Sequence, residues 1–168
     1  MEEKNSILII DDSVMSTMAL KEILEPDYDI HTAEDGKIGI EMAEKHNPDI
    51  ILLDIIMPKL DGYGVLVALK KNKRTKSIPV MLISSLDDLR NEQKGFVLGA
   101  ADYITKPFSP TVVKHRVKNQ ISIVNIIKKH EENRIIELNR FDDELTEAKK
   151  EINRLKNELI SLGKDPNV

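Results

Sequence analysis

Two short runs constrain this chain more than anything else in it: ILII at Ile7–Ile10 and IILL at Ile50–Leu53. Each is apolar at every position, so neither shows the alternation of a strand with one wet face. Such runs suit central strands covered on both sides, as in parallel sheets. The first run begins at Ser6, and three further strand-like runs follow the same pattern: Asp29–Ala33, Val80–Ile83 and Asp102–Thr105. Between them lie stretches of helical period with their own boundary residues. Ser13 suits the cap of a helix through Leu24, which Pro26 follows, and Asp35 caps Gly36–His46 ahead of Asn47 and Pro48. A third helix is expected from about Gly64 to Lys71. A fourth should start after Asp87 or Asp88 and end near Leu98, where Gly99 can take the left-handed conformation. Five βα units in roughly 120 residues define a doubly wound α/β domain.

Beyond Ser109 and Pro110, a cap and a first-turn proline, there is no Gly or Pro until Gly163. This predicts one continuous helix of about 52 residues, roughly 78 Å long. Val112, Val113, Val117, Ile121 and Val124 would pack its first part on the sheet. Its last part carries an unbroken three-four repeat, with Leu138, Leu145, Ile152 and Leu159 in one core position and Phe141, Ala148, Leu155 and Leu162 in the other. Glu144 and Glu151 fall at g, and Lys149 and Lys156 at e, which are complementary in a parallel two-stranded coiled coil. Extended backwards, the phase puts Glu131 and Arg134 in the seam, so the coil proper is expected from Leu138.

Composition narrows the function classes. At 168 residues the chain holds one domain and an appendage. A net charge of -4 argues against nucleic acid as the main partner. With no Cys there are no disulfides, thiolate metal sites or cysteine nucleophile. No apolar run approaches the ~18 residues of a membrane span, and no signal-peptide pattern follows Met1, so a soluble cytoplasmic protein is the expectation.

In a parallel α/β sheet, ligands collect beyond the carboxyl ends of the strands, where strand order reverses. Asp11 and Asp12 follow the first strand and Asp54 closes the third, its neighbour in this topology. Alone, an Asp-Asp pair after a strand is a helix cap or a solvated turn, and a strand-ending Asp is as ordinary. With Ser84 and Lys106, however, four strand ends offer a charged or hydroxyl group to one edge of the sheet. Clustered carboxylates repel and desolvate one another, and a hard cation held by oxygen, Mg2+ above all, is the natural compensation.

IIDDS at Ile9–Ser13, LLDIIMPKLDG at Leu52–Gly62, the serine closing VMLIS at Ser84, and DYITKPF at Asp102–Phe108 together resemble a bacterial two-component response-regulator receiver domain. The resemblance covers about residues 4 to 125. It implies a flavodoxin-like five-stranded sheet of order 2-1-3-4-5 and a receiver domain over 1–125; the seven-residue repeat adds a helical extension over 126–168 with its coiled coil at about 138–162. It further implies that Asp54 accepts a phosphoryl group from a histidine kinase as an acyl phosphate. Asp12, Asp54 and the Ile56 carbonyl would hold Mg2+, with Asp11 on a metal-bound water, and Lys106 would set a point charge on the phosphoryl group. The Lys106–Pro107 bond would be cis. The Ser84 hydroxyl would move onto the phosphoryl group, and Tyr103 is the matching aromatic that turns inward behind it. Met57, Pro58, Asp61 and Gly62 would shape the loop.

Ile56 and Leu86, each two residues past a site residue, are apolar and would flank the path of water, so slow loss of the phosphoryl group is expected. His31, His46 and His115 show no metal-ligand spacing; His130 with Glu131 faintly resembles a kinase phosphotransfer box, but the Pro expected soon after it is missing. The leading reading is a phosphorelay switch, without a separate enzymatic output domain, that acts through a parallel homodimer on an unspecified downstream target. A related expectation is a fragment of a longer regulator, since chains with this helix continuation often carry a cyclic-dinucleotide enzyme domain beyond it. The competing reading is a dimeric scaffold indifferent to phosphate. A transcription factor lacks support, because no helix-turn-helix or winged-helix segment follows the receiver.

Overall fold

The computed structural model describes residues 4–85 and 89–163, with the side chains of 89–92 outside that description. Its elements alternate as the apolar runs require: β1 (Ser6–Ile10), α1 (Val14–Leu24), β2 (Asp29–Ala33), α2 (Gly36–His46), β3 (Ile50–Asp54), α3 (Gly62–Lys71), β4 (Val80–Ser85), α4 (Leu89–Val97), β5 (Asp102–Lys106) and α5 (Pro110–Ser161). The strands form one sheet of order β2-β1-β3-β4-β5, and every pairing is parallel. This is the flavodoxin-like order expected, and it puts the reversal of strand order between β1 and β3.

Strand alternation divides the core into two layers. Ile7, Ile9, Ile50, Leu52, Met81, Ile83 and Ile104 face Leu20 and Leu24 of α1 and Val113, Val117 and Ile121 of α5. Leu8, Ile10, Ile51, Leu53, Val80 and Leu82 face Ala43 of α2 and Val65, Leu66 and Leu69 of α3. Burying one such side chain is worth about 1.5–3 kcal/mol, so both layers are needed to hold the strand ends in register.

Local chemistry sets the boundaries. Ser13 and Asp35 cap α1 and α2 by accepting from the N–H of Ser16 and Ile38, and Asn47 ends α2 in the left-handed region at φ 45. Helix α3 begins at Gly62, two residues before the expected start, because the Asp61 carboxylate accepts from Gly64 N at 2.8 Å and caps the turn. Gly99 has φ +100 just beyond α4. The expected start of α4 after Asp87 or Asp88 lies outside the described residues. Strands β3, β4 and β5 run on to include Asp54, Ser84 and Lys106.

The chain divides into two units, Met1–Val124 and Asn125–Val168. The second carries the rest of α5, whose apolar stripe is exposed in the single chain: Leu138, Phe141, Leu145, Ile152, Leu155 and Leu159, with Leu162 exposed just beyond its end. Ion pairs lace this helix at three- and four-residue spacing, among them Arg140 with Glu144 and Arg154 with Glu151. No described helix is long and apolar enough to cross a membrane.

Candidate functional site

The β1–β3 reversal brings the predicted carboxylates together. Asp11 and Asp54, both buried, and the exposed Asp12 each place an oxygen so that all three atoms lie within 4.8 Å of one another. Backbone donors orient the two buried groups: Ser13 N reaches Asp11 Oδ1 at 2.8 Å, and Ile56 N reaches Asp54 Oδ1 at 3.2 Å. From the end of β5, Lys106 Nζ donates to Asp11 Oδ2 at 3.1 Å and to Asp54 Oδ2 at 3.0 Å. The Lys106–Pro107 peptide is cis.

Two buried carboxylates therefore share one ammonium. Burial raises the proton affinity of Asp54 above the ordinary carboxylate range; the Lys106 hydrogen bond and charge only partly offset this, and the Asp11 charge adds to the rise. Burial alone would lower the Lys106 pKa, but its hydrogen bond to Asp54 and the charges of Asp54 and Asp11 hold the ammonium above its usual value. The site thus carries a surplus of negative charge that one lysine does not neutralise. A small divalent cation ligated by oxygen fits that surplus, with Asp11, Asp12 and Asp54 as its holders.

Other predicted residues lie on β4, on β5 and in the loop after β3. Ser84 follows Ile83, the register partner of Asp54, and its hydroxyl is buried with no hydrogen-bond partner among the described residues. An orphaned buried hydroxyl costs about 1–3 kcal/mol unless something arrives to satisfy it. Tyr103 is 5% exposed, inward on the face of α2 and α3, with its ring edge-on to Phe96 at 5.0 Å. Ile56 is 67% exposed beside the site, whereas Leu86 lies outside the described residues. A cleft of about 210 Å³ opens from Asp11 and Asp12 towards Val14, Thr17 and Met18 of α1.

Three features escaped the sequence reading. Gly62 approaches the end of β3 so closely that a Cβ there would overlap the Asp54 carbonyl oxygen and meet Ile55 Cα at 2.7 Å. Gly95 lies against the Tyr103 hydroxyl. His31 and His46 stack with ring centroids 4.7 Å apart. An isolated Gly inside helical period is the signal for the second; nothing local marks the histidine pair.

The doubly wound sheet thus carries three carboxylates and a lysine at its switch point. The chain belongs to the response regulator receiver domain family, which it matches over residues 7–118. It is 41% identical over 113 residues to the alkaline phosphatase synthesis transcriptional regulatory protein PhoP of Bacillus subtilis, a match covering 67% of this chain and 46% of that protein. It is 36% identical over 118 residues to histidine kinase P4 of Formosa agariphila, covering 70% of this chain and 9% of that one. Among solved structures, the signal receiver domain of a signal transduction histidine kinase from Syntrophus aciditrophicus matches at a TM-score of 0.64 and 34% identity, over 70% of this chain and 90% of that one. The chain spans half or less of the curated relatives named with it.

Proposed function

We propose that this protein is the phospho-accepting component of a two-component phosphorelay, with Asp54 as acceptor. The observation that carries the reading is the placing of Asp54 within reach of Asp11, Asp12 and Lys106 at the sheet switch point. Asp54 attacks the phosphorus of a kinase phosphohistidine; a P–O bond forms as the P–N bond breaks, and its electron pair goes to the imidazole. Lys106 offsets charge on the phosphoryl oxygens, and the buried Ser84 hydroxyl, without a hydrogen-bond partner among the described residues, donates to one of them. Mg2+, when bound by Asp11, Asp12, Asp54 and the Ile56 carbonyl, supplies further charge neutralisation. Tyr103 follows Ser84 as the switch residue.

The kinase docks beside the acidic cleft. Val14 and Met18 on α1 line it as exposed apolar side chains, and Met15 on the same helix is 83% exposed. Large apolar groups left in water around a polar site suit a protein partner. The site of action is the cytoplasm.

The output is a parallel homodimer through about 138–162. The intrahelical ion pairs are exposed and screened by solvent, so they contribute little, whereas burying each exposed Leu or Ile of the stripe is worth about 1.5–3 kcal/mol. Pairing the stripe therefore outweighs a solitary helix. The coil passes the switch to a downstream target or to a further domain of a longer regulator.

Intact-mass measurement after acetyl phosphate and Mg2+, beside Asp54→Ala, tests the reading. A phosphoryl adduct that needs Mg2+ and is lost in the variant supports it. A stable dimer that takes no adduct favours a phosphate-independent scaffold.

A further inference from the structure

We infer that Gly95 of α4 is the positioning residue that admits Tyr103 to its inward orientation, an inference that rests on the switch role proposed for Tyr103. A Cβ built on Gly95 would overlap the Tyr103 hydroxyl and lie 2.9 Å from its Cζ and 2.6 Å from Leu82 Cδ1. The three contacts are unequal. The Leu82 methyl is the end of a flexible side chain and can step aside. The tyrosine ring is rigid, edge-packed on Phe96 at 5.0 Å and among the buried residues of the core, so its hydroxyl cannot retreat without the whole side chain rotating about χ1. The missing side chain on α4 is thus the notch that receives the hydroxyl from β5.

This ties the position of α4 to the rotamer of Tyr103. A shift of α4 closes or opens the notch, and an inward Tyr103 in turn holds α4 in one place on the sheet. A switch at the β4–β5 strand ends gains a mechanical link to a surface helix through one backbone position. A two-state element of this kind is what a local event needs to reach a distant surface.

The position also reverses an ordinary expectation. Replacing Gly by Ala inside a helix normally stabilises it. Here the added methyl must instead expel Tyr103, and removing the tyrosine hydroxyl must relieve the larger part of the strain.

The test compares native protein, Gly95→Ala, Tyr103→Phe and the double variant. Nitration of Tyr103 by tetranitromethane, read at its own peptide by mass spectrometry, should quicken about tenfold in Gly95→Ala as the ring turns outward. The melting temperature should fall in Gly95→Ala and recover in part when Tyr103→Phe is added, because the remaining contact with Cζ at 2.9 Å is milder than the overlap with the hydroxyl. Should Gly95→Ala not fold, Tyr103→Leu in the same chain must restore folding. Unchanged nitration in a folded Gly95→Ala, or no recovery in either double variant, overturns the inference. Adduct formation by acetyl phosphate is measured separately on native protein. Its failure removes the phosphorelay reading, while nitration still decides whether Gly95 holds Tyr103.

Discussion

Lys106 Nζ stands 3.0 Å from Asp54 Oδ2 and, with the same three-proton head, 3.1 Å from Asp11 Oδ2. The pairing spans 95 residues of sequence on one side and 52 on the other, so it belongs to the fold and not to any local motif. Without the lysine, two buried carboxylates face each other unneutralised. Lys106→Met should lower metal-free stability by about 2–3 kcal/mol, less than a fully buried pair because the lysine is partly exposed. Mg2+ should return most of that loss, and thermal unfolding with and without Mg2+ measures both effects.

The raised proton affinity of Asp54 sets a pH dependence. Burial and the Asp11 charge favour its neutral form in the folded protein. Relief from ionisation is therefore fully present below the unfolded carboxylate pKa and is lost as pH rises through the higher folded value. Lys106 runs at the other end: its contribution holds below the ordinary lysine value and is lost only as pH rises through its elevated one. Asp54→Asn should accordingly raise the metal-free melting temperature at neutral pH by a few degrees and abolish stabilisation by Mg2+. At the proposed Mg2+ site a proton on Asp54 would compete with the metal, so Mg2+ affinity should start to fall at a pH above the usual carboxylate range. Thermal unfolding of the variant checks the former, and calorimetric titration of Mg2+ across pH checks the latter.

The strands and their order were readable because their cause is local and periodic. ILII and IILL report burial on both faces, and the caps at Ser13 and Asp35 lie within three residues of the N–H groups they satisfy. The carboxylate cluster was readable too, since topology alone delivers strand ends to one edge. Close approaches between backbone and distant side chains were not. Gly62 against Asp54 and Gly95 against Tyr103 depend on how α3 and α4 settle on the sheet, and the stacking of His31 on His46 depends on where β2 and the end of α2 meet. The early start of α3 turned on whether Asp61 or a later residue caps it, a choice its sequence leaves to the loop.

Gly62 offers the sharpest test of that hidden geometry. Its N–H donates to the Ile55 carbonyl at 2.9 Å, and its Cα leaves no room for a methyl above the Asp54–Ile55 peptide. Both obstructing atoms are backbone, so they cannot rotate away. Gly62→Ala should cost about 3 kcal/mol, the upper end of overpacking penalties, and should weaken Mg2+ binding by displacing Asp54. Denaturant unfolding gives the first quantity and Mg2+ titration of the folded variant gives the second.

Ile56 is exposed beside the site and, on the proposed phosphorelay reading, would flank the path of water to an acyl phosphate. An apolar side chain there neither orients nor activates a water molecule, so the phosphorylated form should be long-lived. Ile56→Asn supplies a donor and an acceptor at the same place and should speed decay about tenfold or more. A timed decay by intact mass, after removal of the phosphodonor, would be no faster in the variant if the idea is wrong.

The last unit carries its own prediction. Leu145 and Ile152 are both exposed in the single chain and take the same seam position in successive heptads. A charge at such a position must be desolvated twice, once from each chain of a parallel pair, whereas on a solitary helix it stays in water at almost no cost. Leu145→Lys with Ile152→Lys should therefore convert a dimer to a monomer in sedimentation velocity. The acidic site lies entirely within the first unit, so Asp54 phosphorylation by acetyl phosphate should persist in the monomer. Unchanged sedimentation would assign the apolar stripe to another partner, and loss of phosphorylation would show that the site depends on pairing.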